Sequence, residues 1–136
     1  MSTMYNRALV LLSQAKDAIG KVASDDAYLD VACFETQQAL ELIMKTILTE
    51  NNVEYKREYS IRYLLELLQQ AHFSFDKETD LDILADTITS WEEGSRYGKG
   101  VATTVQTVQR VHNIIKSLND AFLLSQEKNN PSPMTF

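Results

Sequence analysis

The feature that most constrains this chain is its near absence of helix-breaking residues. Only four glycines and two prolines occur among the 136 residues, and both prolines lie within the last six positions. Proline removes a backbone donor and clashes with the preceding turn, so long stretches of this chain are free to be helical. Apolar residues recur along them at spacings of three and four, the pattern of an amphipathic helix. We find no strand pattern of period two and no fixed repeat, so the sequence predicts an all-α protein.

Five helices are predicted from these apolar stripes and from the polar residues between them. They span residues 3–23, 26–50, a short segment after Ser60, 79–94 and 102–126. Ser60 and Thr79 are predicted N-caps, because a hydroxyl oxygen accepts hydrogen bonds from the free amides of a first turn. Asn51-Asn52 is predicted to end the second helix, since Asn tolerates the left-handed conformation found there.

The predicted architecture is a five-helix antiparallel up-and-down bundle, because short connectors favour antiparallel neighbours. The second helix is apolar on more than one side, which predicts a central rod contacted by several helices. We expect a single domain over residues 1–126 and a flexible C-terminal tail over residues 127–136.

Charge and cysteine content exclude several classes of protein. The formal net charge of -6 argues against a strongly basic nucleic-acid platform. Cys33 is the single cysteine, so no internal disulfide is predicted, which favours a reducing cytoplasmic setting. It lies on an apolar face and is interpreted as a small buried hydrophobe rather than a nucleophile. The apolar run 8–12 is too short to cross a bilayer, and no membrane segment is predicted.

Neither histidine belongs to a metal-binding or catalytic motif. His72 and His112 have no H-x-x-x-H, E-x-x-H or C-x-x-C neighbour. We therefore predict no metal site, no cofactor and no catalytic residue. The acidic pair Glu92-Glu93 is interpreted as a helix-end feature that serves capping or solubility.

A polar row on the second helix is the first candidate for a functional site. Gln38, Glu41 and Lys45 stand at i, i+3 and i+7 and so share one face of the helix. One interpretation is a solvated face with a Glu41–Lys45 pair, which stabilises a helix by only about 0.2–0.5 kcal/mol. The alternative is the floor of a polar groove that holds a ligand or a partner.

The glycine-rich segment 94–100 is the second candidate. It contains Arg96 and Tyr97, and an arginine beside an aromatic ring suits phosphate or base contact. The alternative is an exposed loop with a surface arginine. Gly98-Lys99-Gly100 lacks the spacing of a Walker phosphate-binding loop.

A basic cluster before the third helix is the third candidate. It consists of Lys56, Arg57 and Arg62. A solvated surface accounts for it, but cations near a helix N-terminus also suit an anion site.

The segment from Phe34 onward resembles the second-helix motif of HEPN domains, the higher eukaryotes and prokaryotes nucleotide-binding domains. That motif is roughly an aromatic residue followed by Gln-Ala-x-Glu-x-x-x-Lys, and Phe34, Gln38-Ala39, Glu41 and Lys45 match it. Ser95-Arg96-Tyr97 is similar to the Ser/Ala-Arg-Tyr element before the last helix of the family. The first-helix segment 15–17 and the chain length are also similar to the family, so the resemblance covers nearly the whole chain.

The resemblance implies a dimeric helical bundle with one of two activities. Many bacterial members act as partners of a minimal nucleotidyltransferase, and others are toxins of toxin–antitoxin pairs that cleave RNA without a metal. The ribonucleases carry a motif similar to R-x(4–6)-H, and this sequence departs from it. His112 follows Arg110 at the wrong spacing, and residues 97–103 after Arg96 contain no histidine. Tyr59-Ser60 holds the place where related members carry Thr/Ser-His.

Three hypotheses follow from these observations. The first is a non-catalytic nucleotide-binding and partner module, with Gln38, Glu41 and Lys45 on one wall of a groove and Arg96 and Tyr97 on the other. The second is a ribonuclease toxin acting on RNA, and the third is a structural dimerisation scaffold. A homodimer is predicted in each case, because the second and fifth helices are apolar on several sides.

Overall fold

The computed structural model describes residues 2–57, 60–96 and 103–129, apart from the side chains of residues 93, 95 and 96. These residues form five α-helices and no strand, which confirms the predicted all-α class. The helices are α1 (Thr3–Ile19), α2 (Ala27–Glu50), α3 (Ile61–Gln70), α4 (Glu78–Arg96) and α5 (Val105–Asn129).

Helix α2 lies at the centre of the bundle and packs against each of the other four helices. Its buried residues cover most of its circumference, from Ala32 near the start to Leu48 near the end. The predicted central rod is therefore confirmed. A helix that is apolar on several sides is stable here because other helices of the same chain remove those sides from water.

Helices α1 and α2 form a close antiparallel pair. The Lys21 ammonium, just beyond α1, lies 5.5 Å from the centre of the Tyr28 ring near the start of α2. Three alanines of α1 are buried, and α2 contributes buried alanines to the core as well. Small side chains let two helix backbones approach closely, so this pair is joined by tight packing rather than by large residues.

Hydrogen bonds from the starts of α3 and α4 connect the remaining helices. The backbone amide of Ile61, at the start of α3, donates to the hydroxyl of Thr89 in α4 over 3.0 Å. The amide of Lys77, just before α4, donates to the hydroxyl of Ser117 in α5 over 3.2 Å. The large buried side chains of these helices, including Trp91 in α4, complete the core.

Two predicted helix ends are confirmed by their hydrogen bonds. The Ser60 hydroxyl accepts from the amide of Tyr63, as expected of an N-cap. Asn52 has a φ of 57°, the left-handed conformation expected after α2.

Three other predicted boundaries are wrong. Helix α1 ends at Ile19 instead of residue 23, and Gly20 follows it as the C-cap. Thr79 is not an N-cap, because α4 already begins at Glu78. Helix α4 also continues past Gly94 to Arg96, so a single glycine, which costs a helix about 0.5–1 kcal/mol, does not end it.

Helix α5 is displaced by three residues from its predicted span of 102–126. The Thr104 hydroxyl accepts from the amide of Thr107 over 3.2 Å, which sets the start of the helix after Thr104. The helix runs to Asn129, so residues 127–129 of the predicted tail are helical. Residues 130–136 lie outside the described part of the chain.

Candidate functional site

The polar row of α2 forms a chain of hydrogen bonds with a mostly buried carboxylate at its centre. Glu41 accepts from the Lys45 ammonium over 2.7 Å and from the Gln37 side-chain amide over 2.9 Å. The side chains of Glu41 and Lys45 are only 11% and 15% exposed. The interpretation of this row as a solvated face is therefore wrong.

The row continues from α2 to α4 through Gln38. Its side-chain nitrogen donates to the Gln37 side-chain oxygen over 3.0 Å and to the Glu92 carboxylate over 2.8 Å. Glu92 is 5% exposed, so it is a buried side chain, and its interpretation as a capping or solubility residue is wrong. We call the five residues Gln37, Gln38, Glu41, Lys45 and Glu92 the polar network.

The functional groups of the polar network indicate which ligand groups it suits. It contains two carboxylates and one ammonium, which sum to a formal net charge of -1. The ammonium is already paired with Glu41 and lies 5.7 Å from the centre of the Tyr55 ring. The amide and carboxylate oxygens of the network are hydrogen-bond acceptors, so they suit a ligand group that carries hydrogen-bond donors.

The second predicted element, around Arg96, lies at the end of α4. Arg96 is the last residue of that helix, four positions after Glu92. Residues i and i+4 share one face of a helix, so Arg96 stands on the Glu92 face, one turn farther along. Its side chain and the whole of Tyr97 lie outside the described part of the structure, and their predicted ligand contacts remain predictions.

The third predicted element, the basic cluster, is partly occupied by internal partners. The Arg62 guanidinium donates to the carboxylates of Asp82 and Asp86, each over 3.0 Å. Lys56 and Arg57 are exposed, and the backbone amide of Lys56 donates to the Tyr63 hydroxyl over 2.8 Å. Arg62 therefore connects α3 to α4, and the anion site stays a prediction for the other two cations.

His112 takes part in a contact between α2 and α5. Its Nε2 atom lies 2.8 Å from the hydroxyl oxygen of Thr36, which is fully buried. Burial, with a smaller contribution from the Lys16 charge, lowers the pKa of His112 to about 4. The ring is therefore neutral near pH 7, as suits a structural histidine. Arg110, two residues earlier, pairs with Asp80 over 3.1 Å.

Sequence reasoning missed two members of the polar network. Gln37 stands four residues before Glu41, a spacing at which amide and carboxylate side chains meet on a helix. Glu92 continues the buried row of α4 formed by Leu81, Ala85 and Ile88, at steps of four, three and four. That register predicts a buried Glu92. The signal was missed because Glu92 was interpreted together with Glu93 as an acidic pair at a helix end.

Comparison with known proteins identifies the family. A family model described as HEPN domain matches residues 1–127. The chain belongs to the HEPN domain family. Searches of curated proteins and of solved structures returned no match. The five-helix order agrees with the helical HEPN fold, and the resemblance predicted from the second helix is confirmed.

Membership of the HEPN family does not by itself select an activity for this chain. Among the described residues, no group of three or more His, Cys, Asp or Glu side chains is arranged to hold a metal ion. None of the described helices is long and apolar enough to cross a membrane. The activity is therefore argued from the polar network and from what surrounds it.

Proposed function

We propose that this HEPN chain is a non-catalytic binding module that holds a nucleotide. We further propose that it works as a homodimer beside a minimal nucleotidyltransferase. The observation that carries the proposal is the hydrogen bond from Gln38 to Glu92, which joins the polar row of α2 to the helix that ends in Arg96.

The two ends of this arrangement suit different parts of a nucleotide. The polar network is rich in amide and carboxylate groups, which fits the hydrogen-bonding edge of a base. Arg96, at the end of α4, supplies the planar cation that fits a phosphate. Base and phosphate would then lie along the α2–α4 joint, with the ribose between them.

Two observations support the proposal that this chain does not cleave RNA. The sequence has no R-x(4–6)-H motif, which supplies the phosphate-binding arginine and the proton-transferring histidine of the ribonucleases. The nearest arginine and histidine are engaged elsewhere, since Arg110 pairs with Asp80 and His112 with Thr36. A healthy culture that overproduces the chain supports a binding role, and growth arrest relieved by Arg96→Ala would instead indicate a toxin.

The homodimer is supported by apolar side chains that the bundle leaves exposed. Val10 on α1 is 56% exposed and Val31 on α2 is 46% exposed. The apolar character of α2 no longer requires a dimer, because the other helices cover it within one chain. Light scattering after size exclusion tests this part, and a monomer at tens of micromolar would contradict it.

Nucleotide binding is tested by calorimetry with ATP, ADP, AMP and adenosine. The expected result is saturable binding that Lys45→Ala and Gln38→Ala each weaken at least tenfold. Lys116→Ala is the matched control, because Lys116 also forms an i,i+4 ion pair, with Asp120, but lies on α5. Binding unchanged by Lys45→Ala and Gln38→Ala would contradict the assigned site.

The division between base and phosphate is tested with the same ligands. If the polar network holds the base, its variants weaken adenosine and ATP by the same factor. Arg96→Ala then weakens ATP and leaves adenosine unchanged. If the chain binds neither a nucleotide nor a purified minimal nucleotidyltransferase, the binding-module proposal fails. The structural scaffold then remains as the function of the chain.

A further inference from the structure

The exposed face of α1 carries opposite charges at its two ends. Arg7, Val10, Gln14 and Asp17 stand at i, i+3, i+7 and i+10, and each of them is exposed. Residues at these spacings form one stripe along a helix, and we call these four the α1 stripe. Val10 is 56% exposed, so the stripe also carries an apolar side chain between its two charges.

Neither charge of the α1 stripe is paired within its own chain. Arg7 and Asp17 form no ion pair with any residue that the structure describes. They are also too far apart to pair with each other, because they are separated by about 15 Å along the helix at about 1.5 Å per residue. Each charge can therefore pair with a group on a second molecule.

A second carboxylate adds to the negative end of the α1 stripe. Glu35 of α2 lines a cavity of about 240 Å³ together with Gln14, Asp17 and Lys21. Burial, with a smaller contribution from the Asp17 charge, raises the pKa of Glu35. The Lys21 ammonium pairs with neither carboxylate and lies 5.5 Å from the centre of the Tyr28 ring. Two carboxylates thus repel each other here, and a cation placed between them would relieve that repulsion.

We propose that the α1 stripe packs antiparallel against the α1 stripe of a second copy of this chain, with the Arg7 guanidinium of each copy between Asp17 and Glu35 of the other copy. This interface rests on the homodimer proposed above and names its contact surface. Arg7 lies three residues before Val10, and Asp17 lies three residues after Gln14. An antiparallel register that pairs Arg7 with Asp17 therefore also pairs Val10 with Gln14.

The order of the charges along α1 selects a second copy in an antiparallel orientation. In a two-fold dimer the same patch of both copies meets itself, so each ion pair forms twice. A parallel pair of helices would instead place Arg7 against Arg7 and Asp17 against Asp17, and like charges repel. The antiparallel pair also brings both Val10 side chains close to the two-fold axis, where they are removed from water.

The test reverses one charge at a time in the full chain and measures the dimer dissociation constant by analytical ultracentrifugation. Arg7→Asp places acidic side chains opposite each other at both ends of the interface, and Asp17→Arg places basic ones there. Each variant alone should dimerise about tenfold more weakly than the wild type, or worse.

Lys16→Asp is the matched control for Arg7→Asp. It makes the same change of charge at an exposed position of the same helix. Lys16 is not part of the α1 stripe, because it stands about 100° round the helix from Asp17. Its replacement should leave the dissociation constant unchanged.

Mixing the two single variants tests the pairing itself. In a heterodimer of Arg7→Asp with Asp17→Arg, one end keeps the native pair of Arg7 with Asp17, and the other end holds the same pair with its charges exchanged. The mixture should therefore recover the wild-type dissociation constant to within about threefold. Misfolded variants would not recover by mixing, so this result separates a lost contact from a lost fold.

Three outcomes would overturn this interface. A wild-type dimer that neither single variant weakens would place the contact elsewhere and leave the homodimer itself intact. Weakened single variants whose mixture stays monomeric would exclude a direct pairing of positions 7 and 17. A wild type that is monomeric at tens of micromolar would overturn the homodimer and this interface together, whereas the proposed nucleotide site is tested separately by calorimetry.

Discussion

Gln38 on α2 donates its side-chain amide to Glu92 on α4 over 2.8 Å, and the same amide nitrogen donates to Gln37 over 3.0 Å. The Gln38 side chain is therefore hydrogen-bonded both to the buried carboxylate of Glu92 on α4 and to Gln37 on its own helix. Buried polar groups with satisfied hydrogen bonds fix the relative position of two helices, because shifting either one leaves polar atoms without partners.

The Gln38–Glu92 contact predicts energetic coupling between α2 and α4. Gln38→Ala and Glu92→Ala should each lower the free energy of unfolding by about 1–3 kcal/mol, because each removes a buried hydrogen-bonding group. The double variant should lose at least about 0.5 kcal/mol less than the sum of the single losses, since the contact is removed only once. Urea denaturation followed by circular dichroism measures all three, and strictly additive losses would contradict the coupling.

The neutral His112 predicts a loss of stability in acid. Its pKa of about 4 in the folded chain lies below the ordinary value of 6.5, so the unfolded chain binds more protons between these values. Stability contributed by the neutral ring is present above pH 6.5 and is lost as the pH falls toward 4. After allowance for partial exposure of the ring, we expect a loss of about 1 kcal/mol between pH 7.5 and pH 5.

The matched comparison for His112 is His112→Gln, measured by urea denaturation at both pH values. The variant keeps every carboxylate and the exposed His72, so their contributions cancel in the difference between the two proteins. The difference in unfolding free energy between wild type and variant should shrink at pH 5. A difference independent of pH would contradict a depressed pKa.

Close packing of α1 on α2 predicts sensitivity to added volume. Ala15 is completely buried, and Ala15→Leu should lower the free energy of unfolding by about 1–3 kcal/mol through overpacking. Gln14→Leu is the control, because Gln14 is the exposed neighbour and its replacement should stay within about 0.5 kcal/mol. Thermal unfolding measures both, and equal effects would exclude tight packing at Ala15.

Burial of Cys33 predicts a thiol that reacts only when the bundle opens. Burial, with a smaller contribution from Asp30, raises the pKa of this thiol to about 12, so little thiolate forms near pH 8. Labelling by a thiol reagent should therefore be slow and should accelerate with urea in step with unfolding. Val31→Cys supplies an exposed thiol two residues away, which should react at once. Rapid labelling of Cys33 in the wild type would contradict its burial.

Much of the fold could be predicted because it depends on local sequence. Ser60 caps α3 and Asn52 follows α2 as expected, since capping requires only nearby residues. Gly94 misled the prediction of the end of α4, because a helix continues through one glycine when its other residues are held by packing. The predicted starts of α4 and α5 differ from the observed ones by one to three residues for another reason. More than one residue near each start can cap a helix, so the sequence does not select one.

The sequence by itself determined the helical class, the central position of α2 and the shared face of Gln38, Glu41 and Lys45, because these follow from period and spacing along one helix. Only the tertiary structure decided that this face is mostly buried, that Glu92 completes it, and that Arg62 and His112 serve contacts between helices. The physical reason is that burial and pairing across helices depend on which surfaces meet. Residues such as Gln38 and Glu92, 54 positions apart, carry no local pattern that reveals their contact.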